Sequence, residues 1–178
     1  MPTLVEKVVA LSIALTSQDI PHAFGGALAL AYATEEPRGT RDVDVNLFVA
    51  PAEAEPTFRA LPTGVRWSDA DVAAVQRDEQ VRLWWEDTPV DLFFAAHEIH
   101  HAADRRARRV DFVGQSIRVL APTDLALFKV LFDRTKDWAD IEAMLDSGTL
   151  DVDEVVDQLV DLLGDDARVD RFKALAVR

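Results

Sequence analysis

The sequence predicts an α/β fold: a small mixed sheet with flanking helices, followed by a helical C-terminal part. Three observations predict it. Residues 42–49 alternate, with Val43, Val45, Leu47 and Val49 on one face and Asp42, Asp44 and Asn46 on the other, which is the period of a half-buried strand. Residues 81–86 and 90–94 are two further β-rich runs separated by Asp87-Thr88-Pro89, a hairpin pattern. From Pro122 onward the apolar residues recur at helical spacing. A chain of 178 residues is long enough for one sizeable core and short for two. The expectation is a single domain over 1–178, with a mixed-sheet core at 1–120 and a helical part at 121–178.

The elements follow in order. Leu4, Val8, Leu11 and Leu15 mark a helix over 4–16, ending before Pro21. Residues 20–24 form a short strand leading into Gly25-Gly26. Ala, Leu and one Tyr over 27–34 suit a helix buried on most sides. Pro37 to Thr40 read as a turn before the 42–49 strand, and 51–62 as a helix or loop between turn signals. Residues 97–109 look helical and 116–120 strand-like. Pro122 fits the first position of a helix reaching about Arg134, with Asp124 in its first turn. Another helix covers 136–145 and stops near Gly148. Asp151 with Glu154 caps a last amphipathic stretch, 152–163.

Composition sets bounds on function. Lys and Arg number 19 against 32 Asp and Glu, a net charge of −13, which repels a bare phosphate backbone at long range and argues against tight nonspecific DNA binding. With no cysteine, disulfides, thiolate catalysis and thiolate zinc sites fall away. No apolar run approaches the roughly 20 residues of a membrane span. The start Met1-Pro2-Thr3-Leu4-Val5-Glu6 lacks the basic and apolar regions of a signal peptide, so a cytoplasmic protein with no membrane partner is expected. Arg105, Arg106, Arg108 and Arg109 form a basic cluster, read as a solvated helix face or a local polyanion site.

The chemistry-bearing residues are Gly25-Gly26, Asp42 and Asp44 in Thr40-Arg41-Asp42-Val43-Asp44-Val45-Asn46-Leu47, and Asp91 in Pro89-Val90-Asp91-Leu92-Phe93-Phe94. Two-residue spacing on a strand is roughly 6.5 Å, and both carboxylates project from one side. They are therefore suited to a pair of cations roughly 3.5 to 4 Å apart, as two-metal phosphoryl chemistry requires. A strand followed by Gly-Gly and a helix is the local geometry in which backbone N–H groups face an anion. Asp91 interrupts an apolar run, where a carboxylate is costly to bury without a cation. The plain alternative is a half-buried strand whose polar face merely meets water.

Other features invite competing readings. His97-Glu98-Ile99-His100-His101 satisfies the pattern of zinc hydrolases; the remaining His, His22, lies far upstream, and the plain reading is an exposed helix start. Lys129 has apolar helix neighbours in Leu125, Phe128, Leu131 and Phe132, which suits either a phosphate contact or a stem that packs while its ammonium reaches water. Trp84-Trp85, on alternating faces, reads as sheet packing before base stacking.

Taken together, Phe24-Gly25-Gly26, Arg38-Gly39-Thr40-Arg41-Asp42-Val43-Asp44-Val45 and Val90-Asp91-Leu92 resemble the nucleotidyltransferase superfamily typified by DNA polymerase β. The stretches Val119-Leu120-Ala121-Pro122-Thr123-Asp124-Leu125-Ala126-Leu127-Phe128-Lys129 and Arg134-Thr135-Lys136-Asp137-Trp138-Ala139-Asp140-Ile141 look like the helical part of small bacterial members related to AbiEii-type toxins. The resemblance implies a nucleotidyltransferase-like fold in which Asp42, Asp44 and Asp91 are the catalytic, metal-binding acids for Mg²⁺ or Mn²⁺. It implies that Gly25 and Gly26 form the triphosphate turn, that Lys129 and Lys136 bind nucleotide, and that Asp140 is a later acid of the site. The activity implied is transfer of a nucleoside monophosphate from an NTP to an acceptor hydroxyl on tRNA, protein or a small molecule, with a cognate antitoxin or toxin as partner. The alternative is a noncatalytic nucleotide- or partner-binding module of the same fold; a zinc hydrolase is the third reading.

Overall fold

The computed structural model describes residues 1–37 and 39–177. Arg38, which opens the Arg38-Gly39-Thr40 stretch, lies outside the described residues. The chain forms two compact units, Met1–Leu28 with Gly39–Leu120, and Ala29–Arg38 with Ala121–Arg178.

The first unit is built on a mixed sheet. Helix α1 (Leu4–Ser17) starts at a capping box in which Thr3 and Glu6 satisfy each other's backbone N–H, and it buries Lys7, Val8, Leu11 and Leu15 along one face. Strand β1 (His22–Phe24) runs into helix α2 (Gly26–Thr34), which crosses from the first unit to the second. Helix α2 buries Ala29, Leu30, Ala33 and Thr34 fully, and its other residues are half-buried. Strand β2 (Val43–Leu47) is followed by a 3₁₀ turn (Pro51–Glu53), α3 (Ala54–Ala60), β3 (Val65–Arg66), α4 (Asp69–Asp78), β4 (Gln80–Trp85), β5 (Thr88–Phe94), α5 (Glu98–Arg106), β6 (Arg108–Phe112) and β7 (Gln115–Val119). Among the described residues the strands form one sheet in the order β3-β4-β5-β2-β1-β7-β6. The pairs β2–β5 and β1–β7 are parallel and the rest antiparallel, so the sheet is mixed, as predicted.

Strand β2 is shorter than the predicted 42–49 run, with Asp42 in the bend ahead of it, and two further local differences from the sequence reading have physical causes. Strand β5 begins at Thr88 and not after Pro89, because the hairpin closes on Glu86 and Asp87 with Trp85 opposite Thr88; Asp91 is therefore in mid-strand. The segment predicted as helical over 97–109 ends at Arg106, and Arg108–Phe112 is strand β6. Its Arg-rich composition suits a helix, but the chain reverses at Val113 and Gly114, both at positive φ, as a two-residue hairpin turn of the primed type needs. Pairing with β7 then overrides local preference. Helices α4 and α9 (Ala167–Ala176) and strand β3 were not foreseen.

Lys7 is 2% exposed, yet it is fully satisfied. Its ammonium donates to the Trp85 carbonyl (3.0 Å) and the Thr88 hydroxyl (2.9 Å) and faces Glu86 at 3.2 Å, which ties α1 to the β4–β5 turn.

The second unit is helical: the rest of α2 with α6 (Pro122–Phe132), α7 (Thr135–Asp146), α8 (Val152–Leu163) and α9. Pro122 holds the first turn of α6, as predicted, and nearly every residue of that helix is buried. Helix α6 packs against α7 and α8, and α8 against α9, with Trp138, Ile141, Met144, Val155, Leu159, Val169 and Phe172 in the core. Among the described residues no helix is long and apolar enough to cross a membrane.

Candidate functional site

The two acids that are far apart in sequence are neighbours in the sheet. Strands β2 and β5 run parallel with Asp44 directly opposite Asp91, and adjacent strands lie about 4.8 Å apart. In-register residues of a parallel pair project to the same side. Along β5 burial alternates strictly, with Val90, Leu92 and Phe94 buried and Asp91 and Phe93 half-buried. Asp91 is thus on the open face, and Asp44, between buried Val43 and Val45, shares it. Asp42 stands just ahead of β2, two residues before Asp44, and its Oδ1 accepts the Thr40 hydroxyl at 2.5 Å.

The Gly25-Gly26 turn is seated on this face. Gly25 N–H donates to the Asp44 carbonyl at 2.9 Å. A Cβ on Gly26 would fall 1.8 Å from Asp44 Oδ2, and the residue adopts φ +51°; a Cβ on Gly25 would fall 2.7 Å from Asn46 Nδ2. Only glycine permits that approach of backbone to carboxylate. Helix α2 begins at Gly26, so the start of a helix, where free N–H groups favour an anion, adjoins the Asp44 side chain.

A residue the sequence reading did not single out completes the face. Arg82 on β4 is paired in antiparallel register with Asp91, and its guanidinium grips both carboxylate oxygens, Nε to Oδ1 and Nη2 to Oδ2, each at 2.7 Å. Arg82, Asp91 and Asp44 therefore form one row across β4, β5 and β2. The hydrogen bonds to Asp91 and its charge, reinforced by Asp42 and Asp44, hold the Arg82 guanidinium above its ordinary range. The signal was available in principle, since a hairpin closing on Glu86-Asp87 places Arg82 opposite Asp91, whereas a turn at Asp87-Thr88-Pro89 does not.

Carboxylate oxygens are the donors a hard divalent cation such as Mg²⁺ takes; Asp44 and Asp91 share one sheet face, and Asp42, just ahead of β2, is near enough for its charge to act on Arg82, so the donor set fits. As the side chains stand, no group of three or more His, Asp or Glu among the described residues closes on a metal position. Asp91 is in the Arg82 fork. A cation chelated by both Asp91 oxygens would compete with that fork for the same lone pairs.

Lys129, Lys136 and Asp140 lie in the second unit. Lys129 is 7% exposed, and its ammonium is 2.6 Å from Asp140 Oδ2 and 3.5 Å from Asp137 Oδ1, which bridges α6 to α7. Asp137 is wholly buried and is also held by Arg134, Nε to Oδ2 at 2.6 Å. Burial pushes the Asp137 carboxyl up, but the Arg134 hydrogen bond and the Lys129 and Arg134 charges outweigh it and keep it below its ordinary value. Lys136 is exposed in the first turn of α7.

The His motif does not lie on one helix. His97 is the N-cap of α5 with extended backbone, φ −136° and ψ 158°, so the four-residue spacing to His101 is not a helical repeat. Its ring stacks on His100 (centroids 6.1 Å) and its Nε2 is 3.7 Å from Glu79. His22, the remaining histidine, is on β1 with Nδ1 2.8 Å from the Ile20 carbonyl.

Trp85 is buried and Trp84 exposed, as alternation requires. Trp84 and Arg82 line a shallow cavity of about 260 Å³ with Arg66 and Trp67.

Solved structures of similar fold include nucleotidyltransferases. The chain matches the antibiotic-resistance factor ANT(2'')-Ia in solution with a TM-score of 0.59 at 16% identity, covering 96% of this chain and 94% of that one. Against the crystal structure of ANT(2'')-Ia in complex with adenylyl-2''-tobramycin the TM-score is 0.62 at 14% identity, covering 97% and 98% of the two chains. At such identities the likeness establishes the fold: a mixed α/β nucleotidyltransferase-like architecture. No protein-family model and no curated protein sequence matches the chain.

Proposed function

We propose that the protein is a divalent-cation-dependent nucleotidyltransferase that moves a nucleoside monophosphate from an NTP to an acceptor hydroxyl. The observation that carries this reading is the pair Asp44 and Asp91, in register on adjacent parallel strands, with Gly26 set against the Asp44 carboxylate. Gly25 fixes the turn through its N–H to the Asp44 carbonyl, and the backbone N–H groups at Gly26 and the start of α2 bind the triphosphate. Asp42, Asp44 and Asp91 hold the cation, Mg²⁺ or Mn²⁺, which supplies neutralisation of charge on the phosphate oxygens. The acceptor oxygen forms a bond to the α-phosphorus, the bridging oxygen between the α- and β-phosphorus leaves with pyrophosphate, and a site carboxylate takes the hydroxyl proton.

Among acceptors, a small molecule has the most support. ANT(2'')-Ia, matched over nearly its whole length, is found with adenylyl-2''-tobramycin, and a net charge of −13 disfavours tRNA. A toxin role and a cognate antitoxin rest on the AbiEii-like resemblance of the helical segments. So does nucleotide binding by Lys129, Lys136 and Asp140; within the second unit the Lys129–Asp140 pair supports a bracing role equally well. One observation favours a noncatalytic binding module: Asp91 is engaged by Arg82 on both oxygens.

The test is thermal unfolding with each NTP and Mg²⁺, with and without Asp42→Asn/Asp44→Asn, together with labelled NTPs and a panel of aminoglycosides, tRNA and cell extract. Ligand binding only the native state raises its stability, and amides replace carboxylates poorly around Mg²⁺. The expected result is stabilisation of the wild type alone and a labelled NMP on one acceptor class. Equal stabilisation of wild type and double variant refutes metal-mediated nucleotide binding, and binding without transfer selects the module.

A further inference from the structure

We propose that Arg82 is a displaceable counter-ion of the acid site, occupying Asp91 when no cation is bound and competing with the divalent ion for that carboxylate. This rests on the reading of Asp42, Asp44 and Asp91 as the cation-binding acids. Arg82 is not merely near the acids. It lies in register with Asp91, as Asp91 does with Asp44, and its planar fork takes both oxygens of Asp91 at 2.7 Å. A bidentate guanidinium takes the two lone pairs, one on each oxygen, that a chelating cation would use. Its charge is also felt by Asp42 and Asp44, so one guanidinium offsets repulsion among all three acids.

Two features make the contact exchangeable rather than structural. Arg82 is 53% exposed whereas Asp91 is 15% exposed, so the arginine can swing into water without opening a void. The partly exposed side of such a pair is bound weakly enough for an incoming cation to replace it. Released, the guanidinium stays on the face where a triphosphate arrives, and planar bidentate recognition of phosphate is what arginine does best. Binding of the bare cation is thereby held back, and cation with NTP is favoured over cation alone.

The experiment measures Mn²⁺ binding by the free-ion electron paramagnetic resonance signal, with and without ATP, for wild type, Arg82→Gln, Arg82→Lys and Arg66→Gln. Arg66→Gln removes a charge at the same end of the sheet that makes no contact with Asp91. Loss of the competitor is expected to tighten binding of Mn²⁺ alone by about fivefold in Arg82→Gln, the equivalent of about 1 kcal/mol for a half-exposed pair. Arg82→Lys, a point charge without the fork, is expected to fall between it and wild type, and Arg66→Gln to match wild type. Circular dichroism confirms that each variant is folded. If wild type and Arg82→Gln bind Mn²⁺ equally, the counter-ion role is wrong and the acid site stands. An equal gain in Arg66→Gln reduces the effect to general electrostatics and also overturns it. If no variant binds Mn²⁺ with or without ATP, the acid site fails, and the counter-ion role with it.

Discussion

Gly26 has no room for a side chain, and its neighbour in that crowding is Asp44. Alanine there meets two costs: positive φ, which L-residues adopt at about 1–2 kcal/mol, and a Cβ placed 1.8 Å from Asp44 Oδ2. Gly114 separates the two, since its φ is +75° with nothing within 4 Å of an added Cβ. Urea denaturation is expected to show Gly26→Ala losing about 2–4 kcal/mol and Gly114→Ala about 1 kcal/mol. Gly26→Ala is also expected to lose stabilisation by NTP with Mg²⁺, because Asp44 must turn away, while Gly114→Ala keeps it. Equal losses of stability in the two would mean that the Asp44 contact yields freely. Glycine at this turn was legible in the sequence. That the glycine and the first strand's acid touch was not.

At the scale of elements, the link between α6 and α7 is an ionic bracket. Lys129 on α6 faces Asp140 and the wholly buried Asp137 on α7, and Arg134 holds Asp137 from the connecting residues. Removing one partner of a buried charge group leaves the others uncompensated, which costs about 3–5 kcal/mol for a fully buried pair. Because Arg134 remains, Lys129→Ala is expected to cost less, about 2–3 kcal/mol, with Lys129→Arg recovering part of it. Chemical denaturation measures the loss, and titration of the folded variant with ATP and Mg²⁺ tests the phosphate role: unchanged affinity makes Lys129 a brace, and weakened affinity makes it a ligand as well. The hairpin β6–β7 is the opposite kind of element, one whose local composition points to helix and whose partner strand decides otherwise. Val113-Gly114 was its one local sign.

For the whole molecule, the titrating groups set how stability varies with pH. His22 is 4% exposed and its Nε2 has no partner among the described residues; burial pushes its imidazole below the usual 6.5. His100 is lowered for the same first reason. An unfolded chain therefore binds these protons before the folded one does, so the stability present above pH 6.5 falls as pH drops below it. Asp137, held low, adds a second loss beneath the usual carboxylate value of 3.8, as pH falls through its lowered folded-state value. His22→Gln is expected to be flatter than wild type between pH 7.5 and 5.5 in urea denaturation; identical slopes would mean that His22 is protonated without cost in the fold. What the sequence determined by itself was local: helix α1, the start of α6 at Pro122, the alternation of the strand that carries Asp44, the existence of the β4–β5 hairpin, and the Gly-Gly turn. These signals travel along the chain, because side-chain period, capping and turn chemistry act over a few residues. The tertiary structure alone decided that β5 lies parallel to β2 with Asp91 beside Asp44, that Gly26 rests on that carboxylate, and that Arg82 closes over Asp91. The first depends on register between strands far apart in the chain, the second on the close approach of the turn before α2 to β2, and the third on the exact closure of the β4–β5 hairpin; register is a property of the assembled sheet rather than of any one strand.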